Sequence, residues 1–494
     1  MTGDDNGIVL TDIAPGTLRR IHLVGVAGTG MGAFAGMLKA AGYDVTGSDE
    51  NVYPPMSDML REWGIEVFTP YAAGNLDRAR PDVVIIGNVI RRVNPEATAA
   101  REGGIPQMSF PAAFGALILP GRHSVVIAGT HGKTTTAALM AHVLVEAGLD
   151  PTFLVGGVTV NYGGNFRLGG GEHVVIEGDE YDTAYFDKGP KFLHYRARTA
   201  LLTSIEFDHA DIYTDLAHYE SAYRKFCATL PRDGWLGVSA SYPRALEIAR
   251  AHSRAGISTY GVRTAADHRA DQVTFGADGA HFRIQGPEGD RAKLLLPMSG
   301  YHNIENATGV YAAARRLGLT PGTIAKGFAG FSGVKRRQEP RGEIGGVLVI
   351  DDFAHHPTAV RETIEGIRLR YPARRLWAVF EPRSNTSRRN IHQAEYAAAF
   401  DHADVVTIRL PEPHDKVPPD QRLDVPAIVR ELGARGIEAG ATGDVDDMVR
   451  LVSGGARAND LILVMSNGSL GGFIPSLLSA LTRRFEEPVR RPGS

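Results

Sequence analysis

The sequence predicts an α/β protein of three domains, each a mostly parallel sheet with flanking helices. Three observations carry that prediction. The 494 residues exceed what one hydrophobic core holds, and at ~100–200 residues per domain they divide into about three units. Short apolar runs of strand length alternate with segments whose apolar residues recur at helical spacing, in each third of the chain. Several of those strand runs stop abruptly in Gly, Ser, Asp, Asn or Glu, which leaves polar groups at the carboxyl edge of a sheet, where open α/β folds bind ligands.

The first domain, residues 1–119, opens with the strand Ile21 to Val26, turns through Gly28, Gly30 and Gly32, and enters a helix near Phe34 to Ala41. A second strand, Tyr43 to Thr46, ends at Gly47-Ser48-Asp49, and a third, Asp82 to Ile86, ends at Gly87-Asn88. A glycine-rich turn with an acid at Asp49 outlines a diphosphate site. The spacing of Gly25, Gly28, Gly30 and Gly32 is not the G-x-G-x-x-G of a nicotinamide site, and an oxidoreductase would leave the motif of the next domain unexplained.

The second domain, residues 120–338, begins with the buried strand Ser124 to Ala128 and the loop Gly129-Thr130-His131-Gly132-Lys133-Thr134-Thr135-Thr136, followed by a helix over Ala137 to Ala147. Between strand and helix, unpaired backbone N–H groups and the positive end of the helix dipole meet an anion. Lys133 is placed to reach the outer phosphates of a nucleoside triphosphate, and Thr134 to ligate the Mg²⁺ that bridges them, although Ile127 stands where the general pattern has glycine. Two acidic clusters follow strands in the same unit: Val174 to Ile176 leads into Glu177 to Asp182, and Ala200 to Thr203 leads into Ser204 to Asp211. Their carboxylates and one imidazole suit magnesium beside a triphosphate.

In the third domain, residues 339–494, the strand Val347 to Ile350 runs into Asp351-Asp352-Phe353-Ala354-His355-His356-Pro357. Trp377 to Phe380 leads to Glu381 through Thr386, and Leu461 to Val464 leads to Met465 through Gly468, so three strands end on one ligand-facing edge. The Gly- and Pro-rich stretches Val160 to Gly171 and Pro411 to Pro419 read as exposed loops.

Composition excludes several classes. Hydrophobic content of 43% and charged content of 22% are those of a globular chain. The 53 basic and 56 acidic residues are interspersed at a net charge of -3, which argues against a nucleic-acid partner. A lone Cys227 forms no intrachain disulfide and allows a reducing compartment. The amino terminus is acidic where a signal peptide is basic, and no apolar stretch is long enough for a bilayer, so the expected location is the cytoplasm, with no membrane partner.

The phosphate loop at 129–134, the Glu177 cluster, Asp208-His209, Tyr301 to Asn306, Arg336-Arg337 and Asp351-Asp352 occur in the order found in the Mur ligases, which the chain resembles over nearly its full length. That resemblance implies a Rossmann-like N-terminal domain for a UDP sugar, a P-loop ATPase-type central domain, and a Rossmann-like C-terminal domain for a peptide. The runs Ser48 to Ser57, Asp187-Lys188 near Phe192 to Tyr195, Asp352 to Thr358 and Glu381 to Thr386 are similar to the family member that joins UDP-N-acetylmuramate to the murein tripeptide L-alanyl-γ-D-glutamyl-meso-diaminopimelate during cell-wall recycling. The alternative is the member that adds L-alanine alone.

The same resemblance implies roles residue by residue. ATP would be held by Gly129, Thr130, His131, Gly132, Lys133, Thr134 and Thr135, by His302, Asn303 and Asn306 at its adenine, and by Arg337 and Asp352. Mg²⁺ would be ligated by Thr134, Glu177 and His209, with Asp211 orienting His209; Lys133, Glu177, His209 and Arg337 would form the catalytic set. Gly28, Thr29, Gly30 and Met31 would face the diphosphate of the UDP sugar, with Ser48, Asp49 and Asn88 towards its nucleoside. Asp351, His355, His356, Arg383, Ser384 and Asn385 would meet the peptide, the guanidinium forking onto a carboxylate. Ser204 stands where relatives carry asparagine, and Tyr223 where several carry a carbamoylated lysine, so no modified lysine is expected.

Overall fold

The computed structural model describes residues 6–13, 16–411 and 417–485. Three large sheets follow one another along the chain, with a two-stranded ribbon, Asp182–Ala184 and Asp187–Pro190, beside the second. The first has five parallel strands, with Arg20–Val24 at its centre between Asp44–Ser48 and Val83–Ile86. The second has ten strands and the third six. In the second, the strand His123–Ala128 lies between His173–Gly178 and Thr199–Leu202, all parallel and in register at Ala128, Gly178 and Leu202. That register decides the site, because the phosphate loop and both acidic clusters leave the sheet side by side.

Two features of the central sheet are absent from the sequence reading. Its far end is an antiparallel extension, His268–Gly276, Gly279–Gln285 and Arg291–Leu296. At the other end Phe166–Arg167, inside the stretch read as an exposed loop, pairs with Thr152–Leu154, and Phe166 packs edge-on against Trp63 at 5.2 Å. The Pro411 to Pro419 reading falls largely on residues outside those described. The first helix starts at Thr29, five residues before the expected Phe34, since the glycine-rich turn passes straight into helical backbone.

In the third sheet Val347–Asp352, Asp460–Met465 and Arg375–Phe380 are parallel, with Asp352, Met465 and Phe380 aligned, so their polar continuations share one edge. An antiparallel strand, Glu339–Ile344, flanks them.

The two junctions between lobes differ in chemistry. A shared apolar core joins the first and central lobes, where Phe34, Phe110 and Phe114 pack with Phe192 and Tyr195 and Phe114 meets Tyr195 edge-on at 5.8 Å, with the Ser109–Asp187 (3.0 Å) and Tyr185–Gln107 (2.9 Å) hydrogen bonds beside it. Polar groups join the central and third lobes. Gln338 Nε2 donates to Ser299 O (3.1 Å) while its own backbone N–H donates to Asp352 Oδ2 (2.8 Å), and Asn385 Nδ2 donates to Asp211 Oδ2 (3.0 Å). Among the described residues no helix is long and apolar enough to cross a membrane.

One buried carboxylate organises the first lobe. Asn94 caps the helix Pro95–Glu102, which carries Glu96 into the core at 0% exposure. There it accepts from Asn75 Nδ2 (2.6 Å), from the Ala72 N–H (3.2 Å) and from the Ser48 hydroxyl, and pairs with His22 Nε2 (3.1 Å). Burial alone would raise the Glu96 pKa; the His22, Ser48 and Asn75 hydrogen bonds hold it below its ordinary value. Removing one member of such a set leaves buried polar groups without partners. Glu96→Ala is expected to cost this lobe roughly 3 kcal/mol, read as a lower urea midpoint of Trp63 fluorescence in a background with Trp235 and Trp377 replaced by Phe; an unchanged midpoint would contradict this account.

Candidate active site

The phosphate loop closes on itself through two left-handed glycines, Gly129 (φ 135°) and Gly132 (φ 76°). A Cβ at Gly129 would lie 2.1 Å from Thr203 Oγ1 and one at Gly132 2.6 Å from the Asn306 side chain, so no larger residue fits at either place. Gly132 caps the helix Lys133–Glu146, whose first-turn N–H groups point into the cleft. Ser204 Oγ accepts from the His131 N–H (2.8 Å) and Thr130 Oγ1 donates to Glu206 O (2.9 Å), which ties the loop to the acidic segment beside it.

Lys133 Nζ donates to Gly129 O at 2.6 Å and pairs with Glu180 Oε2 at 2.9 Å. Burial works against its charge, but the Glu180, Asp179 and Glu177 carboxylates outweigh burial and hold the ammonium above its ordinary pKa. Glu180, 1% exposed, also receives His209 Nε2 (3.1 Å) and the Tyr219 hydroxyl (3.1 Å). Burial would raise its pKa; Lys133 and His209 bring it down to about 2. Glu180 is the node of the site, and sequence reasoning missed it in favour of Glu177, three residues earlier in the same cluster. A lysine in the phosphate loop and a run of acids at the adjacent strand end were the signal; which acid turns inward was not readable.

Glu177 Oε1 accepts from Thr134 Oγ1 (2.9 Å) and Oε2 from the Gly156 N–H (2.7 Å). Burial and the nearby Asp179 charge push its pKa up. Thr134 and Glu177 are thus hydrogen-bonded to each other, whereas His209 joins the same acid-rich region through Glu180, so the structure links the three expected magnesium residues by way of Glu180 and Lys133. Asp211 does not orient His209 as expected: its carboxylate takes Asn385 from the third lobe, and His209 is fixed by Glu180 and, through its N–H, by Asp208 Oδ1 at 2.7 Å. Tyr223, at the position where relatives carry a modified lysine, is fully buried and shares a hydroxyl hydrogen bond with Tyr219 (3.0 Å), extending the chain of donors behind Glu180.

A cleft lies between the phosphate loop and the third lobe. His131, Gly132, Thr135, His302, Asn303, Asn306, Arg337 and Asp352 all line it, joined by Tyr242, Glu305 and Glu362, which the sequence reading did not include. His302 has a buried Nδ1 with no partner, and burial together with Arg337 pushes its pKa down to about 4, so it faces the cleft neutral. The Asp352 carboxylate holds the Gln338 and Ala354 N–H groups, both at 2.8 Å. Burial raises its pKa.

Other expected residues are placed differently. Asp351 points to the opposite face of its strand and pairs with Arg341 (3.0 Å) and Arg336 (3.4 Å), because successive strand residues alternate sides; it does not face the cleft. Ser48 is turned inward, its hydroxyl committed to Glu96, while Asp49 Oδ2 accepts from the Ala27 N–H (2.9 Å) and steadies the glycine-rich turn. Gly28, Thr29, Gly30 and Asn88 lie exposed at the carboxyl edge of the first sheet, with Met31 buried beneath them. At the third-lobe edge His355 Nδ1 contacts Phe353 O (3.1 Å), Ser384 accepts from the Ser387 N–H (3.0 Å), and exposed Arg383 lies over Gly468, whose added Cβ would be 2.3 Å from its Nη1. His356 lies against His131 with ring centroids 4.5 Å apart and the rings tilted, bringing the third lobe onto the phosphate loop.

Three family models cover the chain in succession: the Mur ligase family catalytic domain at residues 20–121, the Mur ligase middle domain at 127–314, and the Mur ligase glutamate ligase domain at 336–468. The chain belongs to the Mur ligase family. As a Mur ligase it is an ATP-dependent enzyme that forms amide bonds. It is 37% identical over 472 residues to the UDP-N-acetylmuramate–L-alanyl-γ-D-glutamyl-meso-2,6-diaminoheptandioate ligase of Escherichia coli (strain K12), covering 94% of this chain and 99% of that one. The UDP-N-acetylmuramate–L-alanine ligase of Acidiphilium cryptum (strain JF-5) is 33% identical over 487 residues, covering 97% and 98%. Among solved structures, the murein peptide ligase of Psychrobacter arcticus 273-4 superposes with a TM-score of 0.69 at 33% identity, covering 95% of this chain and 99% of that one.

The geometry of this Mur ligase site also sets a pH response. Burial disfavours the His209 imidazolium, but Glu180 and Asp208 raise its pKa to about 9, above its ordinary 6.5. A raised value means the pairing stabilises the fold fully below 6.5 and is lost as pH climbs through 9. Urea midpoints are therefore expected to fall between pH 7 and pH 9.5, and His209→Asn to flatten that slope; parallel slopes in the two proteins would refute the pairing.

Proposed function

We propose that the protein joins the lactyl carboxylate of UDP-N-acetylmuramate to the amine of L-alanyl-γ-D-glutamyl-meso-diaminopimelate, with ATP cleaved to ADP and orthophosphate, as a step of cell-wall recycling in the cytoplasm. The observation that carries the choice of peptide is the near full-length 37% identity to a relative whose name states that reaction, against 33% for the relative that adds L-alanine. The exposed guanidinium of Arg383 at the third-lobe edge supports it, since the tripeptide brings carboxylates that free L-alanine lacks.

An amide does not form from a carboxylate and an amine in water without a better leaving group. Transfer of the γ-phosphoryl group to the carboxylate gives an acyl phosphate and ADP. The peptide nitrogen then attacks the acyl carbon, the C–N bond forms, the C–O bond to phosphate breaks, and the ammonium proton leaves to solvent. Both steps gather negative charge on oxygens, which fixed cations stabilise. Lys133 and Arg337 are those cations in this chain, Lys133 exchanging Glu180 for the phosphates. His302, Asn303 and Asn306 receive the adenine in the cleft that they line. Thr134, Glu177 and His209 would hold Mg²⁺, which would supply positive charge to offset that on the phosphoryl oxygens.

We assign residues 1–119 to the UDP sugar, 120–338 to ATP and 339–494 to the peptide. Asp49 fixes the turn from which Gly28, Thr29, Gly30 and Met31 meet the diphosphate, and Asn88 faces the nucleoside. Within the third lobe His355, Arg383, Ser384 and Asn385 face the peptide, and Asp352 supports the cleft wall through the Gln338 and Ala354 backbone.

Orthophosphate release is the direct test. Turnover is expected with ATP, Mg²⁺, UDP-N-acetylmuramate and tripeptide together; robust turnover of free L-alanine with none of tripeptide would transfer the protein to the alternative substrate. Lys133→Ala is expected to abolish product while UDP-sugar binding, followed calorimetrically, persists. For Arg383→Ala, the KM for peptide should rise about tenfold or more with the KM for ATP unchanged; equal peptide KM values would remove Arg383 from the site.

A further inference from the structure

Beside the cleft, Glu206 gathers two residues expected near the substrates, His131 and His356, into a cluster whose combined donor set the proposed reaction does not require. Glu206 Oε2 lies 2.7 Å from His131 Nε2 and 4.0 Å from His356 Nδ1, and the three ligand atoms are all within 4.8 Å of one another. They come from three separate segments: His131 from the phosphate loop, Glu206 from the loop after the strand Thr199–Leu202, and His356 from the residue that caps the helix Pro357–Arg370 in the third lobe.

The ring nitrogens of His356 are poorly served by the protein. Its Nε2 is buried without a hydrogen-bond partner, and Nδ1 is reached only by the Thr358 N–H at 3.4 Å, a long contact. Whichever nitrogen of a neutral ring carries the proton, one is left unsatisfied. With the lone pair on Nδ1, that lone pair and the Glu206 carboxylate oxygen face each other, two acceptors across 4.0 Å with no donor between them. His392, whose ring lies 4.7 Å from His356, offers no relief because its own nitrogens are turned to Phe207 O (3.3 Å) and Glu395 (3.4 Å).

Two imidazoles and one carboxylate converging on a point are the donor set of a borderline divalent transition ion, not of Mg²⁺, which prefers oxygen. Ligand atoms at ~2.0–2.1 Å from a tetrahedral zinc lie roughly 3.4 Å apart, and the observed separations straddle that spacing. Small side-chain rotations would equalise them, leaving a fourth position on the side of His131, which lines the cleft, and of the partly exposed Glu206. None of the three residues is shared with the Thr134, Glu177 and His209 corner.

We infer that His131, Glu206 and His356 form a binding site for a zinc-class divalent ion that fastens the phosphate loop to the third lobe. With such an ion bound, the lobe stays closed over the cleft, so zinc acts as a clip on the moving junction.

Tag-free full-length protein in millimolar Mg²⁺ would be titrated with Zn²⁺ against a chromophoric zinc chelator, and with Co²⁺ alone. The expected result is one equivalent of Zn²⁺ at micromolar affinity or tighter, and a visible Co²⁺ band of low-coordinate nitrogen and oxygen ligation. Glu206→Gln and His356→Gln should each weaken binding by about tenfold or more, since even outer partners of metal ligands cost that much. His281→Gln, an exposed histidine remote from the cluster, should leave it unchanged. Folding of each variant is checked by circular dichroism, and His131→Gln replaces any that fails. Binding below half an equivalent, or wild-type affinity in the Glu206 and His356 variants, would overturn the site.

Discussion

The ion pair between Lys133 and Glu180 is the constraint on which the rest of the centre is built. Two opposite charges are buried together at 2.9 Å, and burying either without the other would cost several kcal/mol. Each remaining valence of the pair is therefore taken by something structural: Gly129 O on the lysine side, His209 and the Tyr219 hydroxyl on the glutamate side. A left-handed loop, a strand end and a helix two segments later are drawn to one point by the need to satisfy it. Because Glu180 pairs with both Lys133 and His209, any anion that drew Lys133 away would leave that carboxylate to His209 alone.

Much of this was legible in the sequence, for a physical reason. A parallel sheet buried on both faces forces continuous apolar strands, and its ligand edge forces an abrupt change to polar residues, so strand ends such as Ala128, Leu202 and Asp352 announce themselves. The phosphate loop is equally plain because its left-handed positions admit only glycine. What stayed hidden is direction. Within Glu177 to Asp182 the choice between Glu177 and Glu180 depends on backbone turning after the strand, and between Asp351 and Asp352 on which face of the strand is the cleft; a single sequence contains neither. Ser48 was hidden by its partner, since nothing near it in the chain announces that Glu96, 48 residues away, will be buried beside it. The antiparallel extension carries no chemistry and so had no motif to mark it.

The contrast between the two lobe junctions follows from the side chains that make them. Phe34, Phe110 and Phe114 pack into the central core, and parting those lobes would expose that apolar surface to water. The third lobe is held by hydrogen bonds and tilted imidazole contacts, which exchange for water at little net cost. Motion on ligand binding therefore belongs to the third lobe, and the catalytic cleft lies at the junction that can open.

Gln338 gives that junction an unexpected rule of inheritance. It adopts a left-handed backbone (φ 50°), grips Ser299 with its side chain and supplies the N–H that neutralises one oxygen of Asp352. It is thus a residue of neither lobe alone. Chimeras that exchange third lobes at the start of the strand Glu339–Ile344 would pair Asp352 with a foreign residue at 338, whose left-handed backbone and side-chain grip on Ser299 aim the N–H; crossover points before Arg336 keep residue 338 with Asp352. Recombination in this architecture should respect the seam Arg336-Arg337-Gln338, not the edge of a fold.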